Sequence, residues 1–318
     1  PATLARSAGA RAVLTAPGDG ELLLIYHPAG DGWMGFAVDA HGTQARRIPG
    51  SAIDPSASPE ILAASLLGPF ESSIEAARRI RVIAAGQVAR TDVHALPFHG
   101  RPLTFDRPVA WALDVPWRAS VAGADVKNAL LVSDPLDDLP AARRESARIG
   151  DALARCGLAV RKLEGSAATH DEVLRALAVP DLALFHYAGH GSFNGNDGWW
   201  SELPLAAAGS LSLGDVLAAP RVPRHVVLSG CDTAHASDGD FAAGLGLGQA
   251  FVIGGAEEAV ATTRPVEDDA AATLMAELLA SGGSCPLADL VAALSGAQRT
   301  IAARNGKTDW AAFRVLVP

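Results

Sequence analysis

The chain has 318 residues, of which 49% are apolar and 19% charged, and its net charge is −9; this allows one large domain or two modest ones and argues against a nucleic-acid surface as the main partner. Three cysteines, Cys156, Cys231 and Cys285, are too few and too scattered for a disulfide framework or a zinc ribbon, and they fit a reducing, cytoplasmic setting. No stretch reaches the ~18 uncharged apolar residues of a spanning helix, no secretory leader is legible, and a start at Pro1 rather than Met reads as an excised fragment lacking an upstream part.

Residues 22–26 and 33–38 are short apolar runs around "HPAGDG", which predicts an antiparallel hairpin. Residues 59–79 predict a helix with Pro59 near its start, 79–86 a strand, and 94–100 a loop. After about residue 124 the pattern becomes regular. Strands are predicted at 128–134, 158–165, 181–189, 224–230, 258–263 and 311–317. Helices are predicted at 138–157, after a Thr169 N-cap, near 267–281 and near 286–304. Strands alternating with helices mean βαβ units and a mainly parallel sheet covered on both faces, with ligands beyond the carboxyl ends of the strands.

Two of those strand ends carry reactive side chains. "LALFHYAGHG" (182–191) delivers His190 between two glycines, and "HVVLSGCDT" (225–233) delivers Cys231. A cysteine attacks as thiolate, and a neighbouring histidine can take its proton and pass it to a leaving amine. Glycines at 189 and 191 suit a sharp bend and a close backbone approach. The amides of Gly191 and Cys231 are candidate donors to an oxyanion. Taken singly, a buried cysteine and a turn histidine are common without chemistry. Their pairing at two strand ends favours catalysis, in an order and at a separation close to the ~50 residues of caspase-type chains.

"FHYAGHG" followed by "VVLSGCDT" resembles the signature of CHAT domains, caspase-like proteases of clan CD related to separase. The flanks "DPLDDLPAARRESARI", "GLGQAFVIGGAEEAVATTRPVEDDAAATLMAELL" and "AQRTIAARNGKTDWAAFRVLVP" resemble the same family. The resemblance implies a three-layer αβα sandwich on a mainly parallel six-stranded sheet. It divides the chain into a degenerate caspase-like supporting subdomain (1–124) and a catalytic domain (125–318). It implies His190 as general base and acid, Cys231 as nucleophile, and Gly191 and Cys231 as oxyanion donors. The activity implied is cysteine endopeptidase, without cofactor or metal, on a protein substrate. An upstream sensor, repeat domain or other regulatory partner, and a role in prokaryotic immunity or programmed cell death, are implied likewise. The rival readings are a catalytically silent scaffold and a cysteine acyltransferase or other hydrolase.

Substrate contacts are expected from Ser229, Asp232, Arg264 and Trp199. Relatives that cleave after Arg or Lys often carry an acid two positions before the cysteine; Ser229 stands there, so that source of basic specificity is absent. Asp232 either holds a substrate group or caps the following turn with Thr233. Arg264 replaces a Trp common in the family. Trp199 ends a Gly/Asn-rich loop, 191–200, expected beside the substrate groove. His186, His190 and Cys231 lack a fourth ligand for zinc, and "GLGLGQ" lacks the context of a dinucleotide site. Asp268 and its acidic neighbours read as ordinary helix-start charges, Cys156 as structural and Cys285 as a helix-start residue.

Overall fold

A computed structural model describes residues 16–54, 56–115, 127–193, 198–234, 245–280, 285–304 and 308–318. The subdomain boundary at 124/125, the start of "GLGLGQ", most of the tip of the 191–200 loop and the first residues lie outside the described residues.

In chain order the elements are β1 (Glu21–Ala29), β2 (Gly32–Asp39), β3 (Gly42–Pro49), α1 (Pro59–Leu66), α2 (Glu71–Ala76), β4 (Arg79–Ala84), α3 (Gly86–Arg90), β5 (Pro97–Phe98), β6 (Arg101–Pro102) and β7 (Val109–Ala112). Then come β8 (Asn128–Ser133), α4 (Pro140–Arg155), β9 (Ala159–Glu164), α5 (His170–Leu177), β10 (Leu182–Ala188), β11 (Glu202–Pro204), β12 (Ser210–Ser212), α6 (Leu213–Ala218) and β13 (His225–Ser229). The chain closes with α7 (Leu247–Gly254), β14 (Glu258–Thr262), α8 (Asp268–Ala280), α9 (Leu290–Arg304) and β15 (Phe313–Val317).

The six strands expected after residue 124 all form, as β8, β9, β10, β13, β14 and β15. They belong to a larger sheet of eleven strands, in the order β3-β2-β1-β4-β7-β15-β14-β13-β10-β8-β9. β15 is the seam, antiparallel to β14 and parallel to β7. The block β14-β13-β10-β8-β9 is parallel within itself and runs opposite to β15 and its neighbours β7, β4 and β1. β10 is buried along its whole length, as a central parallel strand must be.

Local chemistry explains most boundaries. Thr169 caps α5 by accepting from the Glu172 N–H at 3.4 Å. Pro140 opens α4, and Gly157, in the left-handed region at φ 82°, stops it. The single helix predicted over 59–79 is two, because Gly68-Pro69 interrupts it with a residue that has no N–H to give. Two strands of the larger sheet, β3 and β7, were not predicted. β3 buries only Ile48, so it carries no period-2 signal, and it is held by its pairing with β2.

Helices cover both faces. One core packs α1, α5 and α7 against Phe185, Tyr187, Val226 and Leu228, and it continues into Leu22, Ile80 and Trp111 of the first third. The other packs α4, α8 and α9 against Leu131, Leu184, Val227 and Val260. Each fully buried aliphatic side chain contributes ~1.5–3 kcal/mol. A buried cation also crosses the seam. Arg314 of β15 lies 3.8 Å from the Trp111 ring centroid, and its guanidinium donates to the Ala89 and Thr91 carbonyls and to Asp92.

His94 sits beside this cluster, edge-on to Trp111 and Trp310. Burial pushes its imidazole down from 6.5 to about 4. As pH falls below 6.5 the unfolded chain takes a proton that the native chain refuses until about 4, so stability declines through that window. The loss is ~3 kcal/mol at most. Urea midpoints across this range should show a steeper fall for the native sequence than for His94→Asn; equal slopes would remove His94 as the cause.

Candidate active site

β10 and β13 are adjacent and parallel, with Ala188 opposite Ser229. His190 and Cys231 each stand two residues past those ends, so they leave the sheet side by side. The two turns touch: Gly189 N–H donates to the Ser229 carbonyl at 3.3 Å. A Cβ on Gly191 would sit 2.5 Å from the Cys231 carbonyl oxygen, and one on Gly230 would sit 3.0 Å from the Gly189 oxygen. Neither Gly189 nor Gly191 has a positive φ. The glycines are therefore required by close approach rather than by a bend.

A cavity of about 180 Å³ opens at this point, lined by His190, Cys231, Ser229, Leu139, Val266 and Asp268 among others. A larger crevice of about 550 Å³ lies around Arg79, Arg81 and Glu258, but it contains neither turn. The Cys231 Sγ lies 3.9 Å from the Val266 carbonyl oxygen. The N–H groups of Gly191 and Cys231 have no hydrogen-bond partner among the described residues.

Both turns are braced from below. The Tyr187 hydroxyl, buried and pushed upward in pKa by that burial, lies 2.8 Å from the carbonyls of both His190 and Pro204. The Gly230 carbonyl accepts from Thr262 at 2.5 Å and Thr233 at 3.2 Å. Asp232 follows the cysteine in the left-handed region at φ 56°.

The imidazole of His190 has a carboxylate partner. Its Nε2 lies 3.0 Å from both carboxylate oxygens of Asp138, and about half of each side chain is exposed. Nδ1 has no partner among the described residues, and no hydrogen bond joins His190 to Cys231. Asp138 is itself positioned by Asp134, whose Oδ1 accepts from the Asp138 and Leu139 N–H groups at 2.8 Å each. Burial opposes the charge of Asp134, but the Leu139 amide, the Arg143 guanidinium and the Asp138 amide outweigh it and hold its carboxyl below the ordinary range.

Beneath the cavity is a buried polar contact. His186 Nε2 lies 2.8 Å from Glu145 Oε1, at ion-pair distance but without hydrogen-bond alignment, and both side chains are essentially inaccessible. The other Glu145 oxygen accepts from the Ser229 hydroxyl at 3.2 Å. His186 is thus engaged in the core while His190 faces solvent.

Among the expected substrate contacts, Ser229 lines the cavity and Asp232 adjoins it in sequence. Arg264 does not line it. Its guanidinium is held by Asp309 at 2.6 Å through two nitrogens and by Asp92 at 2.8 Å. Trp199 is 55% exposed and is not part of the lining.

The model of the CHAT domain family matches residues 57–318. The chain belongs to the CHAT family. No curated protein matches it significantly. The Saccharomyces cerevisiae separase–securin complex is similar in fold, with a TM-score of 0.54 at 13% identity over 81% of this chain and 17% of that one. The Arg-specific cysteine proteinase gingipain R (RgpB) is also similar, with a TM-score of 0.55 at 12% identity over 82% of this chain and 68% of that one. The RgpB pro- and mature-domain complex from Porphyromonas gingivalis gives 0.51 at 10% identity, over 80% of this chain and 69% of that one. The chain thus spans about a sixth of the separase length, and the CHAT domain has the caspase-like, clan CD protease fold. No helix among the described residues is long and apolar enough to cross a membrane.

Sequence reasoning missed four residues of this CHAT domain's site: Asp138, Tyr187, Asp268 and Glu145. Asp138 had a weak signal, since it follows a strand end and precedes Pro140. Asp268 has the local signature of a helix-start charge, yet it also walls the cavity. Burial, reinforced by the charge of Asp269, holds its carboxyl above the ordinary range, against a hydrogen bond from the Ala141 amide.

Proposed function

We propose that this CHAT domain is a cysteine endopeptidase. The observation that carries the reading is that His190 and Cys231, delivered by separate strands, line one cavity beyond the carboxyl ends of a parallel sheet. Cys231 Sγ attacks the peptide carbonyl carbon after His190 takes the thiol proton. The carbonyl oxygen, now anionic, is held by the Gly191 and Cys231 N–H groups. The C–N bond breaks as His190 protonates the leaving amine. Water then hydrolyses the thioester, with His190 as base, and restores the thiol. Asp138 orients the imidazole through Nε2, which leaves Nδ1 for the sulfur and the leaving group.

The cavity also points to a side chain. Its walls include Leu139 and Val266, its charged wall residue beside His190 is the carboxylate of Asp268, and no Lys or Arg is among its lining residues. A substrate with an apolar stem and a cationic tip fits this lining; an acidic side chain does not. Asp268 thus replaces the acid missing at Ser229. Residues 1–124 serve as a supporting subdomain on the catalytic 125–318. His190 held by Asp138 with no bond to Cys231 favours a latent domain, set into its active form by a sensor region or partner. The resemblance extends this reading to a cytoplasmic role in prokaryotic immunity or cell death.

The test is a peptide-library profile together with labelling by acyloxymethyl ketones. Selective labelling of Cys231 over Cys156 and Cys285, with cleavage after Arg or Lys, is expected. Asp268→Asn should lower kcat/KM on those peptides by roughly tenfold to a hundredfold and spare peptides with an apolar residue before the cut. A preference for Asp would overturn the assignment of Asp268. No cleavage and no labelling of Cys231 would favour the silent scaffold.

A further inference from the structure

Val266 and Asp268 wall the cavity, and both follow directly from the segment 263–267 that joins β14 to α8. The Val266 carbonyl oxygen lies 3.9 Å from the Cys231 Sγ, so the course of this segment sets what stands beside the sulfur. Its backbone is held only at the base, where the Thr263 N–H donates to the Ala312 carbonyl at 2.9 Å. Beyond that point Pro265 has no N–H to give, and among the described residues no backbone–backbone hydrogen bond involves Arg264 or Val266. The Val266 side chain packs against the second core. The other anchor is the Arg264 guanidinium. Two of its nitrogens donate to the Asp309 carboxylate at 2.6 Å each, and the third donates to Asp92 at 2.8 Å. Charge-assisted bonds of this kind are directional, and a forked guanidinium fixes orientation as well as distance. Asp309 stands just before β15. Asp92 comes from the first third, 172 residues before Arg264 in the chain. Its other oxygen accepts from the buried Arg314 of β15 at 3.0 Å, so Asp92 is itself fixed.

We propose that Asp92 is a positioning residue: through Arg264 it holds the segment 263–267, and with it the Val266 carbonyl and Asp268, in place beside Cys231. This gives the first third of the chain a defined task at the candidate site, and it gives Arg264 a role other than substrate contact. One carboxylate serves two guanidiniums here. Its amide analogue keeps the shape but leaves Arg264 and Arg314 without the anion they share, and Arg264 loses one of its two carboxylate partners. What the proposal says of substrate rests on the peptidase reading; what it says of the sulfur's surroundings does not.

The test measures how fast iodoacetamide alkylates each cysteine of the folded full chain, resolved by mass spectrometry of the digest. In Asp92→Asn and in Arg264→Gln, Cys231 should react roughly three- to thirtyfold faster than in the native sequence, because the segment no longer keeps its wall beside the sulfur. Cys156 and Cys285 should react at their native rates. Adding Asp92→Asn to Arg264→Gln should bring no further increase, since the contact they share is already gone. Arg264→Gln breaks that contact from the other side and leaves the Asp92 bond to Arg314 in place, so the result does not depend on how well Asp92→Asn folds. On Arg or Lys peptides the loss should fall on KM rather than kcat, since Asp268 shifts while His190 and Cys231 stay at their strand ends. An unchanged Cys231 rate in either variant would overturn the proposal. So would equal acceleration of all three thiols, which marks general loosening, or additive effects in the double variant. A native chain that cleaves no peptide would count against the peptidase reading alone, and the alkylation rates would still decide the role of Asp92.

Discussion

Cys231→Ala is expected to abolish peptide cleavage, while His190→Ala lowers kcat/KM by ~10²–10⁴-fold. The two losses differ in kind. The alanine at 231 leaves no atom to bond the carbonyl carbon, so no acyl-enzyme forms. The alanine at 190 leaves the sulfur in place, and solvent hydroxide can remove the thiol proton in place of the imidazole. The His190→Ala variant should therefore recover rate as pH rises, and the Cys231→Ala variant should not. Asp138→Asn keeps the shape beside Nε2 and removes the charge, so a loss of ~10–100-fold is expected, mostly in kcat. Steady-state kinetics on the best library peptide reads all three. Undiminished cleavage by Cys231→Ala would sink the peptidase mechanism. Undiminished cleavage by Asp138→Asn alone would confine Asp138 to a surface ion pair.

Truncating the buried contact beneath the site should carry the largest stability cost. Glu145→Ala or His186→Ala is expected to lower unfolding stability by ~3–5 kcal/mol, because each leaves a polar partner buried without its counterpart. Glu145 also accepts from Ser229, whose carbonyl receives the Gly189 amide between the two turns. The damage should therefore reach the cavity as well as the core. Replacing both residues with leucine removes the uncompensated group and should recover much of the loss. Urea unfolding of the two single variants and the double variant measures this. Single-variant costs below ~1 kcal/mol, typical of an exposed pair, would show that the contact does not hold the site together.

The strands after residue 124 were legible because their signals are local: apolar runs bounded by glycine, proline and capping residues. The same signals placed His190 and Cys231 at strand ends, where a parallel sheet exposes ligand-binding side chains. β3 was illegible because Gly42–Pro49 is almost wholly exposed, so nothing in its own pattern distinguishes it from a loop. Apolar periodicity runs on through 59–79, whereas the chain breaks its helix at Gly68-Pro69, where proline has no N–H to donate.

The sequence by itself determined the element types of the C-terminal two thirds and singled out His190 and Cys231 as the candidate pair. Tertiary structure decided that β15 joins the first third to the same sheet, and that Ala188 stands opposite Ser229. It also decided that Asp138 and Glu145, from α4 and the turn before it, and Asp268, from the start of α8, gather around His190, Ser229 and Cys231. The reason is physical. A strand or cap is specified by neighbours a few residues away, so its signal is written locally. A carboxylate at a helix start has the same local sequence whether it faces water or a histidine from another strand. Only the packing of distant elements settles which it does.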